Sequence, residues 1–273
     1  MPATLSRQEL IALLHEKGLT PNKALGQNFL SDQSAVLAIV DAAEIDGKPV
    51  LEIGPGLGAL TGSLLARASR VAAVEIDRRM AEILSERYGG ELLLYREDFL
   101  KSDLASIRDA LGGKSFCVAG NLPYYITTPI CMKLLENASY VESMTLMVQE
   151  EAAGRFFAKP GDRVYGPLAV LSQAFFDAES VMRLSPESYY PQPDVYSRVI
   201  RLARNEQPFL PGLPLLLRDA FRMRRKTLIN NLKASYPDTP AVQSSLRECA
   251  LSLDVRAEAL SASDYIKLYQ ALL

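Results

Sequence analysis

The segment Val50-Leu51-Glu52-Ile53-Gly54-Pro55-Gly56-Leu57-Gly58 decides how the rest of this 273-residue chain reads. A short run, apolar except for Glu52, has the character of a buried strand, and three glycines at alternate positions then open a turn. Glycine lets a backbone approach a ligand closely, and a helix beginning just beyond the turn presents unpaired N–H groups. The spacing is G-x-G-x-G. A dinucleotide-binding turn carries its third glycine one position later, and a proline such as Pro55 is unusual beside a pyrophosphate. Glu52, an acid directly before the turn, is also poorly suited to a pyrophosphate. It is better suited to orienting a cationic amino-acid group, directly or through water.

Outward from this segment the chain alternates short apolar runs with amphipathic stretches. Residues 50–53 precede 59–68, 71–75 precede 78–87, 92–95 precede 103–111, and 116–119 precede 127–137. Such alternation predicts right-handed βαβ units, hence an α/β fold with a mostly parallel sheet covered on both faces. Residues 143–148 read as a fifth strand, and 179–184 and 197–202 as two late strands able to pair antiparallel, giving seven in all. Ligands on such sheets bind beyond the carboxyl ends of the strands. A break follows at Arg204-Asn205-Glu206-Gln207-Pro208, after which strand signals stop and 214–273 reads as helical. The expected division is a domain over 1–205 with an N-terminal helical extension, then a small all-α domain over 206–273.

Three strand ends carry polar groups. Glu75 closes the second run, where a carboxylate can accept hydrogen bonds from both hydroxyls of a ribose, and Asp98 follows the third, where it can pair with an adenine amino group. The fourth run leads into Asn121-Leu122-Pro123-Tyr124. An amide with one acceptor and two donors, a rigid turn residue and an aromatic face suit a nucleobase amino group better than a sugar or a peptide. Taken singly, these are ordinary turn residues and strand-end acids. Their placement after consecutive strands points to a shared cleft.

Composition narrows the alternatives. Apolar residues make up 48% of the chain, enough for a large core with a small appendage. His15 is the only histidine, which excludes histidine-dependent triads and His-ligated metal sites, and no metal is expected. Cys117, Cys131 and Cys249 are odd in number, widely spaced and set among apolar residues, so they read as reduced core residues. No run of about 18 apolar residues occurs, and Met1-Pro2-Ala3-Thr4-Leu5 lacks the order of a secretory signal, so no membrane association and a cytoplasmic location are expected. The net charge of −2 argues against a polyanion partner until its distribution is considered. Residues 215–233 hold Arg218, Arg222, Arg224, Arg225, Lys226 and Lys233 against a single acid, Asp219, and read as a basic helical patch for RNA phosphates.

The glycine turn with Glu75 and Asp98 resembles the class I S-adenosylmethionine-dependent methyltransferases, with their Rossmann-like sheet. Asn121-Leu122-Pro123-Tyr124 resembles the N6-adenine methyltransferase motif (N/D)-P-P-(Y/F), with leucine before a single proline. With Lys23-Ala24-Leu25-Gly26-Gln27-Asn28-Phe29-Leu30, Tyr190-Pro191-Gln192-Pro193-Asp194-Val195-Tyr196-Ser197 and Phe221-Arg222-Met223-Arg224-Arg225-Lys226-Thr227-Leu228-Ile229-Asn230-Asn231-Leu232, these segments are similar, in order, to the KsgA/Dim1 family of ribosomal RNA adenine dimethyltransferases. The bacterial KsgA members of that family share these segments. Tyr125 stands where many members have Asn, and Tyr190 where Phe is usual.

The resemblance implies a monomeric, two-domain enzyme that binds S-adenosylmethionine, releases S-adenosylhomocysteine and takes part in small-subunit biogenesis. Its target would be N6 of two adjacent adenines near the 3′ end of small-subunit (16S) ribosomal RNA, each receiving two methyl groups. By position, Asn28 and Leu30 would contact the cofactor from the N-terminal segment, Gly54 its methionine end, Glu75 its ribose and Asp98 its adenine, while Asn121 bridges cofactor and target. Glu52, Gly56, Ile76 and Phe99 complete the cofactor set, and Asn121, Leu122, Pro123 and Tyr124 form the catalytic set. Two alternatives stand beside this reading. One is an Erm-type enzyme acting on large-subunit RNA, against which Pro191-Gln192-Pro193 and Arg224-Arg225-Lys226-Thr227-Leu228 weigh. The other is a ribosome-assembly or transcription factor on the same fold, against which intact Asn121, Tyr124, Glu75 and Asp98 weigh. A nicotinamide-dependent oxidoreductase is disfavoured by the glycine spacing.

Overall fold

The computed structural model describes residues 5–273, so the start of the chain, 1–4, lies outside the described residues. The chain divides into two compact units, the first formed by residues up to Ala153 with Glu179–Arg204, the second by Gly154–Ala178 with Asn205–Leu273.

In the first unit, α1 (Arg7–Glu16) opens with a capping box of Ser6 and Glu9, and α2 (Gln33–Ala42) is capped by Asp32. The sheet then begins with β1 (Pro49–Ile53), α3 (Thr61–Arg67), β2 (Arg70–Val74), α4 (Arg78–Tyr88) and β3 (Leu92–Tyr95). It continues through α5 (Leu104–Ala110), β4 (Phe116–Asn121), α6 (Thr127–Glu136), β5 (Val141–Gln149) and α7 (Glu150–Gly154). The late strands are β6 (Phe176–Leu184), of which Glu179 onward belongs to this unit, and β7 (Ser197–Arg204). Residues 50–53, 71–74 and 116–120 are buried throughout, as expected of strands covered on both faces. Asp77 and Asp103 cap α4 and α5, accepting from the free N–H groups of the first turn.

The strand order is β3-β2-β1-β4-β5-β7-β6, seven strands in this sheet. β3, β2, β1, β4 and β5 pair in parallel, and β7 runs antiparallel to β5. The order reverses between β1 and β4, so their carboxyl ends open a crevice on which the glycine turn and Asn121 converge. The register places Glu52 beside Ala119. Phe29–Leu30 forms a two-residue antiparallel ladder with Tyr189–Tyr190, which sequence periodicity cannot reveal because two residues carry no period. Leu10 and Leu14 of α1 pack with Phe29, Leu57, Met80 and Ile83.

The second unit is helical: α8 (Pro167–Phe175), α9 (Leu213–Ala220), α10 (Leu228–Leu232), α11 (Thr239–Glu248) and α12 (Ala262–Ala271). The unit's second segment begins at Asn205, inside the sequence break, but residues 154–178, expected with the first domain, group with the helices. The reason is that α8 buries nearly its whole surface, from Leu168 to Phe175. A linear partition cannot place a segment that leaves and returns. The expected basic helix over 215–233 also needs correction. α9 ends at Ala220, residues 221–227 form a loop, and α10 starts afresh with Thr227 as its cap. Asn231 fixes that loop by accepting from the Met223 N–H (3.1 Å) and donating to the Met223 carbonyl (3.1 Å).

Cys117 and Cys131 are buried and Cys249 is half-buried; none is disulfide-bonded. Among the described residues no helix is long and apolar enough to cross a membrane, and no cluster of His, Cys, Asp or Glu is placed to hold a metal ion.

Candidate active site

The carboxyl ends of β1 to β4 and the N-terminal segment enclose a cleft with about 980 Å³ of open space. Every residue assigned above to cofactor or target lines it: Asn28, Leu30, Glu52, Gly54, Gly56, Glu75, Ile76, Asp98, Phe99, Asn121, Leu122, Pro123 and Tyr124. The six basic residues belong to the second unit and are not among the residues that line this cleft.

The turn after β1 explains its own spacing. Gly54, Gly56 and Gly58 have φ of 65°, 58° and 85°, a left-handed conformation at every second residue that favours glycine. At Gly56 a Cβ would also lie 3.1 Å from the Phe29 ring. The Gly56 N–H donates to Glu75 Oε2 (2.9 Å), and the Asp77 N–H donates to Glu75 Oε1 (2.8 Å). Glu75 therefore ties the turn to the end of β2 while each oxygen keeps a lone pair for a further donor. Burial raises its pKa, and these backbone hydrogen bonds oppose the rise.

Glu52 is buried and accepts from Thr61 Oγ1 (2.7 Å). Burial pushes its pKa up to about 8, with the Thr61 hydrogen bond opposing and the nearby Glu75 adding to the rise. A cation brought beside Glu52 would reverse that shift.

Asp98 Oδ1 accepts from the Leu100 N–H (2.9 Å) and starts a single 3₁₀ turn, Phe99–Lys101. Lys133 of α6 closes this turn. Its ammonium donates to the carbonyls of Phe99 (2.8 Å), Leu100 (3.0 Å) and Ser102 (2.5 Å) and sits 5.3 Å from the centre of the Phe99 ring. Three donors meet three acceptors. Desolvation lowers the Lys133 pKa, and the nearby Asp98, Glu97 and Asp103 carboxylates oppose that shift.

The tetrapeptide after β4 is held at each residue. The Asn121 Nδ2 donates to the Asn28 carbonyl (2.8 Å). A carbonyl only accepts, so this contact fixes the amide orientation and leaves Oδ1 as the free acceptor. The Leu122 N–H donates to the Met147 carbonyl (3.0 Å), and the Pro123 carbonyl accepts from the Ile126 N–H (3.2 Å) and Thr127 Oγ1 (3.1 Å). The Tyr124 hydroxyl shares a 2.6 Å hydrogen bond with Ser197 Oγ, and burial raises the tyrosine pKa. Sequence reasoning missed Ser197 as a support for Tyr124, although it closes one of the quoted segments. It also missed Lys133, which carries no motif. Asn28 acts on Asn121 through its backbone, which no side-chain pattern announces.

On the second unit, Asp219 is buried and draws Arg222 (3.4 Å), Arg218 (3.7 Å) and the Ser235 hydroxyl. Arg224 donates to the carbonyls of Arg163 (2.9 Å) and Tyr165 (3.4 Å), while Arg225, Lys226 and Lys233 are exposed.

A parallel sheet in this order, with a glycine turn, a strand-end acid and an oriented amide at its switch point, defines a class I methyltransferase. A model of the ribosomal RNA adenine dimethylase family matches residues 18–272, and the chain belongs to that family. It is 38% identical, over 95% of its length and 94% of the relative, to the ribosomal RNA small subunit methyltransferase A of a Geobacillus species. It is 39% identical, over 96% and 94%, to the protein of that name from Lactobacillus delbrueckii. Among solved structures, a dimethyladenosine transferase from Plasmodium falciparum aligns with a TM-score of 0.71 at 27% identity, covering 88% of this chain and 95% of the other. The 23S rRNA methyltransferase ErmE aligns with a TM-score of 0.63 at 28% identity, covering 90% and 99%.

Proposed function

We propose that this chain, acting as a cytoplasmic monomer in small-subunit biogenesis, uses S-adenosylmethionine to dimethylate N6 of two adjacent adenines near the 3′ end of small-subunit ribosomal RNA. The observation that carries the reading is the Asn121 amide, turned by the Asn28 carbonyl so that Oδ1 remains as an acceptor at the end of β4. The match of the whole chain to relatives named for the small subunit supports the choice of RNA.

The cleft fits the cofactor. Glu52 with Gly54 and Gly56 offers a buried acid and close backbone for the amino-acid end, Glu75 with Ile76 serves the ribose, Asp98 with Phe99 serves the adenine, and Asn28 and Leu30 close the wall. When bound, S-adenosylmethionine supplies a methyl group on a sulfonium. The chain's own residues position the acceptor amine, whose lone pair is delocalised into the adenine ring. Asn121 Oδ1 and the Leu122 carbonyl accept from N6 and draw it toward a tetrahedral shape, while Tyr124 stacks on the base. No strong base is needed, and the work is positioning with electrostatic support. Two acceptors, rather than a cage around both hydrogens, leave room for an amine that already bears one methyl. The base must leave its stack to enter.

Tyr124→Ala is expected to lower kcat/KM for RNA about 10- to 100-fold, the range for one base–aromatic stack, with S-adenosylhomocysteine affinity little changed. Equal losses of both would remove the stacking role. Lys133→Met deletes three hydrogen bonds under the adenine end of the cleft. The expected result is a roughly tenfold weaker calorimetric affinity for S-adenosylhomocysteine, with kcat changed less than KM.

Glu52 gives a pH signature. With its pKa raised from 4.5 to about 8 in the free protein, the stability that its protonated form provides is full below pH 4.5 and is lost as pH rises through 8. An ammonium held opposite favours the carboxylate, so binding at neutral pH releases a proton. Calorimetry of S-adenosylhomocysteine in buffers of different ionisation enthalpy should detect that release in wild type and lose it in Glu52→Gln.

The assignment of substrate is tested by incubating the protein with methyl-labelled cofactor and unmethylated small or large subunits. Label confined to the small subunit is expected; label on the large subunit selects the Erm-type alternative.

A further inference from the structure

We infer that the RNA-facing surface of the second unit is built from two loops, 159–164 and 222–226, that Lys159 and Arg163 contribute phosphate contacts, and that Arg224 is the clasp joining the loops. The inference deepens the proposed function and rests on its reading of RNA as the partner.

All eleven residues of these loops are exposed. They carry Lys159, Arg163, Arg222, Arg224, Arg225 and Lys226 against one acid, Asp162. Loops of one sign repel when brought together, and the hydrogen bonds found between them come from Arg224. Its Nη1 donates to the Arg163 carbonyl (2.9 Å) and its Nη2 to the Tyr165 carbonyl (3.4 Å). The guanidinium reaches the two carbonyls from two separate nitrogens held in one plane, whereas an ammonium at this position would have to bring one nitrogen within reach of both. These two bonds use two of the five N–H donors of Arg224 and give its side chain a structural task in joining the loops.

The partner loop is anchored to receive it. Tyr165 is buried and its hydroxyl donates to the Leu260 carbonyl (2.8 Å). The Gly161 N–H donates to the Glu258 carbonyl (2.8 Å), and Asp162 takes the Lys159 N–H (2.7 Å). The 222–226 loop is fixed in turn by Asn231. Two anchored loops thus hold mutually repelling cations beside one another, a repulsion that a polyanion relieves. Val164 and Met223, both exposed in the same loops, add apolar surface for sugars or unstacked bases.

Binding of unmethylated small- and large-subunit RNA should be measured for wild type, Lys159→Gln, Arg163→Gln, Arg225→Gln, Arg224→Gln and Arg224→Lys, each over about 50 to 200 mM salt. Thermal midpoints close to wild type identify folded variants. Lys159→Gln and Arg163→Gln are expected to weaken binding by several-fold and to lower the salt slope by about one each, as Arg225→Gln does. Arg224→Lys keeps the charge and is expected to bind as poorly as Arg224→Gln. Wild-type binding by Lys159→Gln and Arg163→Gln would overturn the two-loop surface, and wild-type binding by Arg224→Lys would overturn the clasp. Preference of wild type for large-subunit RNA would instead overturn the substrate reading, with the loop effects still read on that RNA.

Discussion

Asn121→Ala is expected to lower the single-turnover rate of methyl transfer by about 10²- to 10³-fold, the cost of removing one preorganised group at the reacting atom. The variant loses the acceptor Oδ1 and also frees the Asn28 carbonyl that Nδ2 occupies at 2.8 Å. The carbonyl lies on the N-terminal segment, whose own ties are a hydrogen bond from Gln27 to Asp77 (3.0 Å) and the ladder of Phe29–Leu30 with Tyr189–Tyr190. These remain in the variant, so the cleft should persist and S-adenosylhomocysteine affinity should fall by less than tenfold. A rate within threefold of wild type would show that Asn121 does not touch the acceptor amine.

Gly120→Ala is the substitution with the largest expected effect on folding, about 3 kcal/mol by denaturant unfolding, at the upper end for overpacking. A Cβ at this position would lie 2.7 Å from the Ile53 carbonyl, a backbone atom of β1 that cannot rotate away. Relief requires β1 and β4 to part where the glycine turn and Asn121 both begin, so transfer should fall with stability. Gly154→Ala, with no atom within 4 Å of the added carbon, is the matched control and should stay near wild type. Equal stability of the two variants would refute the close strand approach.

The parallel core was legible because residues buried on both faces leave continuous apolar runs, and because positive φ at alternate positions writes G-x-G-x-G into the chain. Glu75, Asp98 and Asn121 were legible as polar residues ending consecutive runs. Positions whose role comes from tertiary placement were not. Gly120 is needed for the nearness of another strand, Ser197 for the reach of Tyr124, and Lys133 for three carbonyls about thirty residues away. The basic stretch read as one helix because charge counting ignores caps, yet Thr227 and Asn231 impose a loop there. That loop alters the meaning of its arginines: Arg224, though exposed, bonds the Arg163 and Tyr165 carbonyls, while among the described residues no such backbone bond ties Arg225.

The central claim is that the end of β4 presents acceptors to an adenine amino group. Digesting small-subunit RNA after reaction with methyl-labelled cofactor and identifying the labelled nucleosides by mass spectrometry tests it most directly. The expected product is N6,N6-dimethyladenosine at two adjacent positions near the 3′ end, lost in Asn121→Ala. Label on a ring nitrogen, a ribose hydroxyl or another base would contradict the account.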